Sequence, residues 1–426
     1  MKQGVFPIMA RVFDIASTEG LRHRNRGLVL ETLRLSGPLS HTEIAILSGL
    51  APGTVTAIST ELKAEGVVLR HDQPPASGRG RPRSLFELRA DFAHFVFVRI
   101  SSGVVELSLV DFRGVLMDRV SAPRDISAGA EGFTDDFKAR VERFLSRSKL
   151  DLGQIHAISI TTKGIVDPDA KTLLWSPAFD SEKINFEALL APDFDGELRL
   201  ANETGFTAYD QMARAEADET KKPPRRVAVV SLGDSIGLGI ASRATGQHSS
   251  GVELVSPAFG HMQHQAQGPL CRCGSRGCLE TYAGFYGILR AAFDAPEGVI
   301  PAKFIPIEQM QRLAQQARQG SKPTAYAFRQ AGEALGASVS RMFSIFGVMP
   351  VAIAGPGREF FDLMQQGFMH AVNENLLLRH GQVLDIGFVQ NEPERVFDSA
   401  VAVTLQRFNN TKVATRKVTG KPAKGD

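Results

Sequence analysis

The chain has 426 residues, 43% hydrophobic and 22% charged, a balance that excludes a disordered or fibrous polymer and allows two or three packed cores. No apolar run approaches the ~20 residues of a membrane span, and the opening MKQGVFPIMARVFD, interrupted by Pro7 and Arg11, does not read as a signal peptide, so a cytoplasmic protein without membrane partners is expected. The net charge of +3 is uneven: residues 1–90 hold 12 Lys/Arg against 8 Asp/Glu, which leaves the rest of the chain at −1 and predicts an anionic partner for the N-terminal part.

After Asn25, NRGLVLETLRLSG brings Leu28, Leu30, Leu33 and Leu35 together before a Ser36-Gly37 stop, and predicts a short helix. SHTEIAILSGL follows. Ser40 and Glu43 form a capping-box pattern at its start, and Gly49 ends it with a tight turn. In APGTVTAISTELKAEG, Pro52 suits the first turn of a third helix and Gly66 its end. Val55, Ile58 and Leu62 share one face of that helix, and Gly53, Thr56, Ala57 and Thr60 the other.

Two helices joined by a glycine turn, behind a third, make a helix-turn-helix. GVVLRHDQPPASGRGRPRSLFEL then reads as two strands around a polar tip, so residues 1–90 are expected to form a winged helix-turn-helix DNA-binding domain with an arginine wing. The segment GRGRPR carries Arg79, Arg81 and Arg83 on a thin backbone and resembles the core of an AT-hook, suited to a narrow minor groove. The outward residues Thr54, Thr56, Ala57 and Thr60 are suited to phosphates and thymine methyls, but lack the Arg, Asn or Gln that read base edges bidentately. Double-stranded operator DNA is the expected partner, with much of the specificity in the wing and in DNA shape.

From residue 94 strands and helices alternate. HFVFVRI, VVELSLVDF and VLMDRVSA read as strands, residues 131–147 as an amphipathic helix, and IHAISIT, RVAVVSLG, VAIAGPG and VLDIGFV as further strands. Two similar halves of this kind predict an α/β body with a cleft between lobes. All three cysteines lie in HMQHQAQGPLCRCGSRGCLE, residues 261–280, with His261 and His264 beside them.

The segments AFGH and CRCGSRGCLE match in order a signature of the form Glu-x-Gly-His, spacer, Cys-x-Cys-Gly-x-x-Gly-x-Cys-x-Glu. On these residues the chain, over residues 20–410, resembles the transcriptional regulators of the ROK family. The resemblance implies an α/β fold: an N-terminal winged helix-turn-helix followed by a two-lobed actin/hexokinase-like (ribonuclease H-like) body. The lobes are expected over residues 91–203 and 204–410, the second with the cysteine loop, and 411–426 as a basic disordered tail.

Against the kinases of that family, the phosphate-loop position reads Arg99, Ser101, Ser102 and Gly103, where a carboxylate and two glycines are needed. The second glycine motif reads Gly233, Asp234 and Ser235, and the base position after Asn202 holds Glu203 in place of aspartate. The expectation is a protein that is not an enzyme. Effector contacts are implied for Asn202, Glu203, His261 and Glu280, with Glu203 either touching a ligand or buried and satisfied by its neighbours, while Ala178 and Ala258 stand where hydroxyl-binding side chains are usual. His261, Cys271, Cys273 and Cys278 give a Cys₃His set for a structural zinc, the position after Phe259-Gly260 favouring His261 over His264.

The function implied is a regulator of transcription, a repressor of carbohydrate-related genes, acting as a homodimer or dimer of dimers and modulated by a sugar or sugar derivative. The alternatives are an active sugar kinase and a DNA-binding dimer that needs no effector.

Overall fold

The structure is a computed structural model that describes residues 18–73, 83–101, 103–125, 129–179, 183–244, 251–299 and 304–411. Its N-terminal part is organised by strong local signals. Helix α1 (Thr18–Ser36) starts seven residues before Asn25, because polar residues ahead of the leucines are held in place. Arg22 pairs with Glu61, and Arg26 with Glu65 at 2.6 Å, so the first turns lean on the third helix. Helix α2 (His41–Ser48) begins at the Ser40–Glu43 capping box and stops at Gly49, whose φ of 69° a side chain would disfavour. Helix α3 (Pro52–Ala64) has proline in its first turn, and Gly66 follows its end at φ 72°.

Strands β1 (Val68–Gln73) and β2 (Arg83–Leu88) pair antiparallel, and Leu39 adds a bridge to Phe86. Leu30, Leu33, Ile44, Val55, Ile58, Leu62 and Phe86 fill the space between them. This is the winged helix-turn-helix that the sequence pattern predicts.

The first body sheet takes β3 (His94–Ile100), β4 (Val104–Asp111) and β5 (Leu116–Pro123) as an antiparallel meander. Helix α4 (Gly129–Ser146) crosses over to β6 (Ile155–Thr162), parallel to β3. A small sheet of β7 (Ile165–Val166), β8 (Thr172–Trp175) and β9 (Ile184–Asn185) follows, then the short α5 (Phe186–Leu190) and β10 (Glu197–Asn202), parallel to β6. The strand order is β10-β6-β3-β4-β5.

Helix α6 (Glu203–Ala217) leads into the second sheet, β11 (Arg226–Ser231), β12 (Gly237–Arg243) and β13 (Val252–Val255), again a meander. After α7 (Glu280–Ala283), α8 (Phe285–Phe293), α9 (Ile307–Arg318) and α10 (Lys322–Phe346) comes β14 (Val351–Ala354), parallel to β11. Helices α11 (Phe361–Asn373) and α12 (Leu376–Arg379) lead to β15 (Ile386–Phe388), parallel to β14. The order β13-β12-β11-β14-β15 repeats the first sheet strand for strand. Two copies of one ribonuclease H-like topology are the two-lobed arrangement expected.

The last element departs from the order of the sequence. Helix α13 (Glu392–Thr411) follows the second sheet but packs on the first, although sequence order assigned residues 204–410 to the second lobe. Phe397 meets Phe97 edge-on at 5.7 Å, and Phe408 meets Phe95 at 5.1 Å, Phe112 at 6.0 Å and His156 at 5.5 Å. The reason is burial: β3 and β6 present an apolar face that nothing in residues 91–203 covers. On its other side α13 lies along α1, where Arg34 donates to Asn409 Oδ1 at 3.5 Å. One continuous core therefore runs from the winged helix through α13 into the first sheet. Of the expected tail 411–426, Thr411 is the last residue of α13 and the rest lies outside the described residues; no described helix is long and apolar enough to cross a membrane.

Phe408→Ala is expected to destabilise the chain by about 3 to 5 kcal/mol, the usual cost of emptying a buried phenylalanine site, read from urea unfolding.

Candidate functional site

Between the two sheets lies a cleft with roughly 430 Å³ of space between the atoms, part of it open to solvent. Lys163, Trp175, Asn202, Ser235, His261 and Glu280 bring the polar and aromatic groups to it. Asn202 ends β10 and caps α6: its Oδ1 accepts from the Thr204 amide at 3.0 Å and hydroxyl at 2.8 Å, and its Nδ2 donates to the Gly164 carbonyl at 2.7 Å. The start of α6 comes so near β12 that a Cβ on Gly239 would sit 1.9 Å from the Thr204 carbonyl oxygen. Glycine at 239 is what lets helix and sheet meet at the cleft floor.

Behind that floor the two positions that decide kinase chemistry have closed on each other. Arg99, at the end of β3, brings its Nε to 3.3 Å from Glu203 Oε1, an ion pair whose two atoms are not aligned for a hydrogen bond, and Glu203 is 1% exposed. Glu203 is buried and does not line the cleft; Arg99 is its ion-pair neighbour, but its Oε1 accepts no hydrogen bond among the described residues. A second acid lies close by. Ser231 donates to Glu392 Oε2 at 3.2 Å, Glu392 Oε1 is buried without a hydrogen-bond partner, and burial pushes this carboxyl's pKa up. Glu203 opens α6 and Glu392 opens α13, so both helices between the lobes start at this buried cluster. Ser102 of the altered phosphate loop lies outside the described residues.

Asp234 is a structural group here. Its Oδ1 accepts from the Ile305 amide at 2.9 Å, burial raises its pKa, and its own carbonyl accepts from Arg272.

The cysteine loop forms the opposite wall. The ligand atoms of His261, Cys271, Cys273 and Cys278 all lie within 4.8 Å of one another. Cys273 and Cys278 sulfurs are 3.7 Å apart, and Cys271 Sγ is 3.6 Å from His261 Nδ1. A tetrahedral ion with metal–sulfur bonds of ~2.3 Å and metal–nitrogen bonds of ~2.0 Å needs edges of about 3.5 to 3.8 Å, so the donor set fits one. Four protein donors leave no position for a reacting water. His264 instead lies against Tyr282, ring centres 4.8 Å apart. The turn depends on Gly277, at φ 70°, where a Cβ would meet the Gln265 carbonyl oxygen at 1.7 Å.

Two side chains carry the loop's shape into the cleft. His261 meets Trp175 edge-on at 4.5 Å. Arg272, between two of the cysteines, pairs with Glu280 Oε1 at 3.2 Å, and Glu280 Oε2 accepts from the Ile236 amide at 3.1 Å. Glu280 is fully buried, so it braces the wall as well as lining it.

On the winged helix, Thr56, Ala57 and Thr60 are exposed on α3 and Thr54 is half-buried, opposite the buried Val55, Ile58 and Leu62. The Thr56 and Thr60 hydroxyls donate to the helix carbonyls of Pro52 and Thr56, at 3.0 and 2.8 Å, which leaves their methyl groups and lone pairs outward. Arg83 sits in β2 and pairs with Glu43, the capping residue of α2, whose carboxyl it holds at about 2; the strand thereby braces the helix-turn-helix. Arg79 and Arg81 lie outside the described residues.

Sequence reasoning passed over Lys163, Trp175, Arg272 and Glu392. A signal existed for one of them: Trp175 is the only tryptophan, next to a Ser-Pro turn. Arg272 was in plain view between cysteines, but its partner Glu280 becomes evident only once the loop is folded.

The chain matches the ROK family profile over residues 106–384. The protein of Escherichia coli (strain K12) named DNA-binding transcriptional repressor Mlc is 23% identical over 401 residues, which cover 92% of this chain and 95% of that one. A protein of Caldicellulosiruptor bescii named Xylose repressor is 22% identical over 390 residues, 90% of this chain and 96% of its own. Among solved structures, a ROK family transcriptional regulator described as a homolog of the E. coli MLC protein superposes with a TM-score of 0.63 at 19% identity, covering 91% of this chain and 99% of that one.

Glu203→Ala strands Arg99 beside a desolvated pocket, and is expected to cost about 3 kcal/mol in urea unfolding, with the Arg99→Ala/Glu203→Ala double variant recovering part of it. Cys278→Ser is expected to release about one equivalent of bound metal, measured by elemental analysis of the purified protein, and to lower the melting temperature by several degrees.

Proposed function

Since the chain belongs to the ROK family, we propose that it is a DNA-binding transcriptional repressor controlled by a sugar-class ligand in its cleft, and that it has no kinase activity. The observation that carries this reading is the single core shared by the winged helix, α13 and the first sheet, because it ties a DNA-binding element directly to the ligand cleft. Relatives named as repressors align along nearly the whole chain, one of them a xylose repressor, and support both the regulatory role and the sugar class of effector. A repressor of this kind works in the cytoplasm on double-stranded operator DNA.

Helix α13 is the coupling rod. Its 20 residues span about 30 Å, from the buried Glu392 at the cleft floor to Asn409 beside α1. A ligand that changes the separation of the lobes displaces the Glu392 end, and the far end moves the winged helix. Coupling of this sort amounts to a difference in ligand affinity between two lobe positions. In a homodimer, two winged helices read half-sites spaced by whole helical turns, and a shift in each changes whether both fit at once. Ile345 and Leu376, 75% and 64% exposed near the α10–α12 corner, are apolar groups that self-association would cover.

The absence of kinase chemistry is inferred from charge. A transferring phosphate needs a metal-binding carboxylate and a free base, and here Arg99 and Glu203 neutralise each other in a buried pair. The Cys₃His set is assigned to structural zinc, which its all-protein tetrahedral shell suits, and which fixes the cleft wall through His261 and Arg272. DNA contacts are assigned to Thr54, Thr56, Ala57 and Thr60 on α3 and to Arg79 and Arg81 of the wing, with Arg83 in part a brace.

The test is operator binding by the full chain. Arg79→Ala/Arg81→Ala is expected to weaken binding and lower the slope of log affinity against log salt by about 2, since each lost phosphate contact removes ~0.9. Unchanged affinity and slope would refute the wing assignment, and sugar-dependent ATP consumption by the purified protein would refute the regulatory reading in favour of a kinase.

A further inference from the structure

The charges around the cleft are unequally matched. Glu280 is taken by Arg272 and the Ile236 amide, and Glu203 behind the wall is taken by Arg99. Lys163 also lines the cleft, and among the described residues no carboxylate lies within ion-pair distance of its ammonium. Asp234 and Glu392 feel its charge, but each has a contact of its own, Asp234 with the Ile305 amide and Glu392 with Ser231. Of the charged side chains lining the cleft, Lys163 is therefore the one that remains for a ligand.

The backbone at Lys163 is fixed. The Lys163 carbonyl accepts from the Ser176 hydroxyl, and the next carbonyl, of Gly164, accepts from Asn202 Nδ2 at 2.7 Å. Gly164, at φ 146°, presses on β8 so closely that a Cβ would meet the Trp175 carbonyl oxygen at 2.3 Å. An ammonium on such a base loses less freedom on binding than one on a loose loop.

The neutral groups of the cleft are largely engaged. Both ends of the Asn202 amide are bonded within the fold, as are both oxygens of Glu280. Lys163 is the charged donor left over, in a cleft that the Trp175 and His261 rings also line. We propose that the cleft selects an anionic monosaccharide, a sugar ring bearing a carboxylate or a phosphate, with Lys163 as the counter-charge and Trp175 as the surface against which the ring packs. The proposal rests on the sugar-responsive reading above and narrows its ligand class.

Isothermal titration of the full chain with gluconate, glucuronate and glucose 6-phosphate, against glucose, xylose and N-acetylglucosamine, tests it. At least one anionic sugar is expected to bind more tightly than every neutral one, and the carboxylate and phosphate arms tell which anion is taken. Lys163→Ala is expected to weaken that ligand by about 10- to 100-fold, the usual value of a charge-assisted contact. Lys163→Arg should retain most of the affinity, which separates loss of charge from loss of fold. Inorganic phosphate at equal concentration is expected not to compete; equal competition would show an anion site with no sugar recognition and overturn the proposal. Tighter binding of a neutral sugar, or anionic binding untouched by Lys163→Ala, would also overturn it. If no sugar of either charge binds, the effector reading itself falls with it.

Discussion

A carboxylate taken out of water must be given a partner, and the arrangement of this molecule turns on how that is done for Glu203. Its partner is Arg99, brought in from the end of β3, so the first sheet and the start of α6 are tied at the cleft floor. The pair occupies positions where a kinase needs opposite properties, a carboxylate for metal and a mobile base. A buried ion pair adds little net stability compared with apolar packing, but removing one partner is costly. It therefore ties the first sheet to the start of α6 in one arrangement.

Glu392 completes the junction from the other lobe. Because α6 and α13 both start there, any change in the cleft is felt at the roots of the two helices that cross between the sheets. Their far ends are very different. Helix α6 packs on the second sheet, whereas α13 runs beneath α1 of the winged helix. A side chain such as Phe408, wedged among Phe95, Phe112 and His156, leaves little slack between a motion of the first sheet and a motion of the DNA head.

The cysteine loop plays a different part. It forms a wall from a loop tied by its own backbone bonds, the Cys271 amide donating to the Ser275 carbonyl at 2.8 Å and the Leu279 amide to the Met262 carbonyl at 2.9 Å. Once His261 and three sulfurs are drawn together, Arg272 has one place to go, and Glu280 is fixed by it against the Ile236 amide. The Cys₃His set thus bears on cleft shape at second hand, through Arg272, which lies between two of its cysteines and pairs with Glu280.

Local signals were readable from the sequence wherever the physics is local. The Ser40–Glu43 capping box, the stops at Gly49 and Gly66, the two-faced pattern of α3 and the Cys₃His spacing each depend on residues a few positions apart, and each is present in the fold. The altered phosphate loop was legible as lost chemistry, but not as a new interaction. Arg99 and Glu203 are 104 positions apart, and only the parallel pairing of β3, β6 and β10 sets their ends side by side. The same holds for α13, whose sequence position suggests one lobe while its apolar face is needed by the other, and for Lys163, whose place in the cleft wall only the folded chain reveals. Sequence by itself determined where the helices of the N-terminal part start and stop and which four side chains, His261, Cys271, Cys273 and Cys278, come together. Tertiary structure alone decided which charges neutralise each other and which is left over, because burial and proximity, not residue type, set the energy of a charge.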